Sequence, residues 1–179
     1  MRRKPYNTKW KSPSKGEIEI SDIPQLILEY YEKMKMYNEP MTVTIGTDSQ
    51  NFSFTKEVSV IAVTCQRHGG IFFYKIRSRE RISDVRTKLH TETQDSLEIA
   101  DYLVGAFTAD KKYEELFMKT HWEIHIDAGY SEKGKTYELI PELVGWVKAQ
   151  GFDAIVKPKD GTSNPYPVAS SCIADRLSK

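Results

Sequence analysis

Asp48 and Asp127 are the residues whose setting points most directly to chemistry. Asp48 lies in MTVTIGTDSQ and Asp127 in HWEIHIDAG, and both segments alternate apolar or β-branched residues with polar ones. That alternation is a strand signal, with successive side chains on opposite faces. Val43, Ile45 and Thr47 then share one face of the first strand, and Thr44, Gly46 and Asp48 the other. In the later strand Trp122, Ile124 and Ile126 share one face, and Glu123, His125 and Asp127 the other. A charged side chain on a central strand is costly unless it is paired or bound to a metal. Gly46, two residues before Asp48 on the same face, leaves room beside it. If these strands are parallel neighbours, about 4.8 Å apart, both aspartates meet at one edge of the sheet. Two carboxylates there repel each other. A hard divalent cation with oxygen ligands, Mg²⁺ or Mn²⁺, relieves that repulsion. His125 shares the face of Asp127 and is expected as a buried histidine with satisfied hydrogen bonds.

Two further acids can join them. Glu92 sits early in a helical segment, with Ser96, Ile99 and Leu103 following at i+4, i+7 and i+11, at the edge of the buried stripe. Glu98 has Gln94, Asp101 and Tyr102 around it, a wetter face, and stands as the alternative helix acid. Asp175, in ASSCIADRLSK, is on the same helical face as Ser171 and Cys172. Thr47, Ser49 and Gln50 flank Asp48 and suit contacts to phosphate or sugar, or a turn. His90 is expected to be exposed and Cys65 to be a small core residue.

The elements that must position these residues are legible from periodicity. A helix is expected over Ser21–Met36, with Pro24 in its first turn. Strands follow over 41–50, 58–67 and 71–78, the last two joined by a turn at His68-Gly69-Gly70. A helix over Arg86–Phe107 comes next, then a short one over Lys111–Lys119. The Asp127 strand, a helix over Tyr137–Gln150 stopped by Gly151, and a fifth strand over Phe152–Lys157 complete the pattern. A loop over Pro158–Pro167 leads into a last helix from about Val168. Three strands followed by alternating helix and strand specify an α/β fold with a mixed sheet. The first three strands form an antiparallel meander. The fourth lies parallel to the first through a right-handed crossover. The spatial order is 3-2-1-4-5, with helices on both faces and an extra N-terminal helix. The division expected is a basic tail over 1–20, a helix over 21–39 and the main domain over 40–179. Lys133, Lys135, Lys157 and Lys159 lie in or after loops following the fourth and fifth strands, the edge where ligands bind in such folds, and suit phosphate contacts.

Composition bounds the rest. The chain of 179 residues is 39% hydrophobic and 28% charged, as in ordinary globular proteins. Lys plus Arg number 26 against 25 Asp plus Glu, which excludes coating nucleic acid by bulk charge. The first sixteen residues carry six basic side chains and no acid. They read as a solvated tail, or as a basic arm with Tyr6 and Trp10 for stacking. No ordered aromatic platform is legible elsewhere. Cys65 and Cys172 match neither a disulfide framework nor a zinc spacing. The longest apolar stretch, Val58 to Cys65, is eight residues, against the ~20 that span a bilayer. With no apolar region near the N-terminus to read as a signal peptide, a soluble, cytoplasmic protein is expected.

An Asp within IGTDSQ on the first strand, a Glu early in the crossover helix, an Asp closing the fourth strand within IHIDAG and an acid in the last helix together resemble the ribonuclease H-like superfamily. IGTDSQ, IDAGYSEKGKT, PELVGWVKAQGF, VKPK and ASSCIADRLSK resemble its small bacterial YkuK-type branch, over about residues 40 to 179. The resemblance implies two-metal phosphodiester chemistry with two Mg²⁺ or Mn²⁺ ions. It implies that Asp48 bridges both ions, with Asp127 and Glu92 holding one and Asp175 the other. RNA, an RNA–DNA hybrid or structured DNA would be the substrate. The alternative is a catalytically weak or inactive nucleic-acid-binding module of the same fold.

Overall fold

A computed structural model describes residues 9–128 and 136–156. Seven strands form one sheet: β1 Trp10–Ser12, β2 Gly16–Ile18, β3 Met41–Asn51, β4 Thr55–Cys65, β5 Gly69–Arg79, β6 Thr120–Ile126 and β7 Asp153–Val156. Their order is β2-β1-β5-β4-β3-β6-β7. The expected order is present as the inner run β5-β4-β3-β6-β7. β4 is antiparallel to both β3 and β5, while β6 is parallel to β3 and β7 to β6. The carboxyl ends of β3, β5 and β6 therefore share one edge of the sheet.

The expectation of five strands is corrected to seven. Residues 10–18, whose composition reads as a solvated tail, form a hairpin on the outer flank of β5. Trp10 is fully buried, and the Lys75 ammonium sits 5.3 Å from its ring centroid. Burying an indole stabilises by a few kcal/mol. That is comparable with the cost of ordering a three-residue strand. One aromatic thus overrides the composition, and Trp10 is not available for stacking on a base. Tyr6 lies outside the described residues.

Among the described residues four helices accompany the sheet: α1 Ile23–Met34, α2 Val85–Ala109, α3 Glu114–Lys119 and α4 Ile140–Ala149. Short 3₁₀ turns flank α1 and precede α3 and α4, where longer single helices are expected. Asp84 caps α2 by accepting from the Thr87 amide at 2.7 Å. Pro141 falls in the first turn of α4, and Gly151 stops that helix with φ 88°. The β4–β5 turn comes two residues earlier than expected, at residues 66–68, with Arg67 itself in the left-handed region at φ 65°.

One core joins helices to sheet. Ile27, Leu103, Leu116, Leu143 and Val147 pack with Val43, Ile45, Ile61, Val63, Phe73, Ile124 and Ile126, all on one sheet face. On the opposite face Val58 and Val60 pack with Phe72 and Tyr74. The four described helices thus contribute to one layer. The helix expected from Val168 lies outside the described residues. No helix among the described residues is long and apolar enough to cross a membrane.

Candidate functional site

Parallel pairing of β3 with β6 runs from Met41 opposite Thr120 to Gly46 opposite His125. Asp48 and Asp127 each lie two residues beyond that last pair, so both reach the same edge of the sheet. Asp48 lies within its strand, because β3 continues against β4 to Asn51 opposite Thr55. It stands where β6 has stopped and β3 has lost its neighbour on that flank. Both aspartates are half-buried. The Asp48 carboxylate accepts from the Ser49 amide at 2.8 Å, which fixes its orientation.

Glu92 comes from α2, on the other layer, and is 5% exposed. Ser49 faces it and donates to its Oε1 at 2.6 Å, with the Lys88 ammonium at 3.7 Å. Burial above all pushes the Glu92 carboxyl up to about 8; Lys88 and the Ser49 hydrogen bond pull it down, and the charges of Asp48 and Asp127 push it further up. Both aspartates therefore act electrostatically on Glu92, across the end of β6. Glu98 is instead half-buried and accepts from Gln94 at 3.0 Å. Glu92 is the helix acid on which the charges of both aspartates bear.

The residues around Asp48 divide by face. Thr47 is 2% exposed, donating to Ser59 at 3.0 Å and accepting from Ser96 at 3.1 Å. Ser49 is 4% exposed and committed to Glu92. Gln50 shares the face of Asp48 and is half-buried. Asp175, Lys133, Lys135, Lys157 and Lys159 lie outside the described residues.

His125 is 6% exposed, and its Nε2 lies 3.3 Å from Glu123. Its Nδ1 is buried and has no hydrogen-bond partner among the described residues, so the expected satisfaction is only half met. Burial pushes its pKa down, against the pull of Glu123. His90 is not the exposed residue expected. It is held between Glu142, 3.2 Å from Nε2, and the Trp146 ring.

Two features escape the sequence reading. The first is a charged network beside Glu92. Arg77 and Arg79 each reach both Glu57 and Asp95, at 2.9 and 2.5 Å from Arg77 and 2.7 and 2.7 Å from Arg79. The Glu57 and Asp95 side chains are 2% and 9% exposed. Burial, then the charge of Asp95, pushes the Glu57 carboxyl up to about 7 against the pull of Arg77. The period-2 cations Lys75, Arg77 and Arg79 on the core face were the available signal. The second is the tip of the β3–β4 hairpin, NFSFT, where Phe52 and Phe54 are 48% and 41% exposed. Two phenylalanines in a turn, where polar residues are usual, were the signal there.

Asp48, Glu92 and Asp127 supply hard carboxylate oxygens, and two of the three raise the pKa of the other. In donor type they fit Mg²⁺ or Mn²⁺. As the side chains stand, no group of three or more His, Cys, Asp or Glu among the described residues is arranged to hold a metal ion. Glu92 is turned toward Ser49 and Lys88.

Comparison with known proteins agrees with this architecture. The family model described as ribonuclease H-like matches residues 22–179. The chain is 25% identical over 162 residues to the protein named Uncharacterized protein YkuK of Bacillus subtilis (strain 168), covering 86% of this chain and 91% of that one. Among solved structures, the Mos1 transposase catalytic domain with raltegravir and Mg is similar at a TM-score of 0.28 and 10% identity, covering 75% of this chain and 58% of that chain.

Proposed function

Because the chain belongs to the ribonuclease H-like family, we propose that it is a divalent-metal-dependent nuclease acting on RNA, an RNA–DNA hybrid or structured DNA. One observation carries the reading. Asp48 and Asp127 sit at equal offsets beyond the last β3–β6 pair, and both bear electrostatically on Glu92. Asp48, Asp127, Glu92 and, from beyond the described residues, Asp175 are the residues that would hold Mg²⁺ or Mn²⁺. Bound there, such ions polarise a phosphodiester and generate a nucleophile from water.

The chain's own residues prepare that site. The Ser49 amide orients Asp48, and the Ser49 hydroxyl and Lys88 hold Glu92 in reserve on the helix layer. Gln50, with Lys133, Lys135, Lys157 and Lys159, would contact the sugar–phosphate backbone. The reaction belongs in the cytoplasm, where a buried free thiol such as Cys65 stays reduced.

The test is cleavage of labelled single-stranded RNA, hybrid and branched DNA in Mg²⁺, Mn²⁺ or EDTA, by the wild type and by Asp48→Asn and Asp127→Asn. Cleavage in metal alone, absent from both variants, supports the nuclease. A second reading, a binding module of the same fold, is favoured by the orientation of Glu92 toward Ser49 rather than toward the aspartates. It expects salt-sensitive binding that survives EDTA and both substitutions, with no cleavage.

A further inference from the structure

We infer that the β3–β4 hairpin tip, through Phe52 and Phe54, is a stacking site for an unpaired base of single-stranded nucleic acid next to the acidic site. The inference rests on the nucleic-acid reading and names the form of nucleic acid and the residues that take it.

The tip is rigid by construction. The Phe52 amide donates to the Phe54 carbonyl at 2.7 Å. Asn51 Nδ2 donates to the Ile82 carbonyl at 2.8 Å, Thr55 Oγ1 donates to Asn51 Oδ1 at 2.7 Å, and the Ile82 amide donates to Thr55 Oγ1 at 2.8 Å. These bonds stitch the tip to the segment joining β5 and α2. The two rings lie 5.9 Å apart, tilted by 39°. They brace each other as one platform and leave no slot between them, so a base stacks on an outer ring face.

Position and charge fit the same ligand. Phe52 is four residues beyond Asp48, just past the end of β3 at Asn51, about 13 Å along the chain if extended. That matches roughly four stacked nucleotides. The segment beneath the tip, residues 77–88, carries Arg77, Arg79, Arg81, Arg86 and Lys88, of which Arg77 and Arg79 pair with Glu57 and Asp95, Arg86 with Glu142 and Lys88 with Glu92. Several of these cations are balanced by carboxylates, but Arg81 is exposed and makes no ion pair among the described residues. Aromatic rings beside arginine are the elements of sequence-tolerant single-strand binding.

Size argues against a protein partner. At exposures of 48% and 41% the two phenyl side chains offer on the order of 200 Å², whereas a stable protein–protein contact covers about 800 Å² on each partner. One base fits the smaller area.

The experiment is fluorescence-anisotropy binding of labelled 12-mer single-stranded RNA and DNA, and of the matching duplexes, in EDTA. The proteins compared are the wild type, Phe52→Ala/Phe54→Ala, Phe52→Leu/Phe54→Leu and Phe52→Trp/Phe54→Trp, each checked by circular dichroism and light scattering. The alanine and leucine pairs should lose about tenfold or more in single-strand affinity, the tryptophan pair should retain it, and duplex affinity should change less than threefold. The leucine pair separates stacking from mere apolarity. Unchanged single-strand binding by the alanine pair, full retention by the leucine pair, or a change of oligomeric state overturns the inference. If the wild type binds oligonucleotides and the variants bind equally, the stacking site fails while the nucleic-acid reading stands. If the wild type binds none, that reading fails and takes the stacking site with it.

Discussion

Asp48 and Asp127 each follow by two residues the last paired residues of β3 and β6, Gly46 and His125. Equal offsets on parallel strands bring the two residues to the same edge of the sheet, almost eighty positions apart in the chain. β6 ends at Ile126 while β3 runs on to Asn51, so the flank of Asp48 is open where the strand beside it stops. Across that gap Glu92 is reached from the other layer.

Removing either aspartate should therefore abolish cleavage and spare the fold. Metal stabilisation of the transition state is worth several kcal/mol, and each 1.36 kcal/mol is tenfold in rate. Asp48→Asn and Asp127→Asn are expected to cut roughly a thousandfold more slowly than the wild type, with melting temperatures within a few degrees of it. Gel assays of labelled oligonucleotides and thermal melts check both parts. A variant that cuts at the wild-type rate contradicts the assignment.

Glu92 and Glu98 can be told apart by the same assay. Glu92→Gln should lose cleavage, and Glu98→Gln should keep it within about twofold, as expected for a surface change. Ser49→Ala leaves a buried carboxylate without its hydroxyl partner, and should cost about 1–3 kcal/mol in urea unfolding. Loss of cleavage in Glu98→Gln alone would reverse the choice.

The arginine network is expected to hold α2 on the sheet. Arg77→Ala/Arg79→Ala leaves Glu57 and Asp95 buried without their cations, at a cost of roughly 3–5 kcal/mol. Arg81→Ala, on an exposed side chain, should stay within about 0.5 kcal/mol. Chemical denaturation measures both, and equal stability of the two proteins contradicts the role given to the network.

Much of this arrangement is legible in the sequence. The alternation around Asp48 and Asp127 specifies two strands and the face of each acid, and the β-β-β-α-β order makes those strands parallel neighbours. Glu92 was legible as an edge-of-stripe residue, though its preference over Glu98 needed the real helix rotation. The β1–β2 hairpin is not, because a basic, Pro-containing segment reads as tail and only the long-range packing of Trp10 into the core, with Lys75 over its ring, explains its burial. The start of β4 at Thr55, three residues before the expected Val58, is hidden for a related reason: the mixed sequence TKEV gives a weak strand signal. The Glu57–Arg77–Arg79–Asp95 network joins three elements, and no local pattern can pair them.

Lys75 gives a pH signature. It is 1% exposed, and burial, then the charge of Arg77, pulls its pKa down to about 7 from 10.5. Between those values the unfolded chain keeps a proton that the folded chain has released. Stability from this group should therefore rise with pH from about 7 to about 10.5, by at most ~1.4 kcal/mol per pH unit. Lys75→Met lacks the proton in both states and should show no such rise from this position, with greater stability than the wild type at neutral pH. Urea unfolding at half-unit pH steps checks this, and parallel profiles for the two proteins would count against it.

The convergence of Asp48 and Asp127 on one cation is tested most directly by anomalous diffraction at the Mn edge from crystals of the full chain grown in Mn²⁺. The account expects a peak with carboxylate oxygens of both aspartates about 2.0–2.6 Å away, lost in crystals of Asp48→Asn. A map with no peak there, or with the two carboxylates on opposite faces of the sheet, would contradict it.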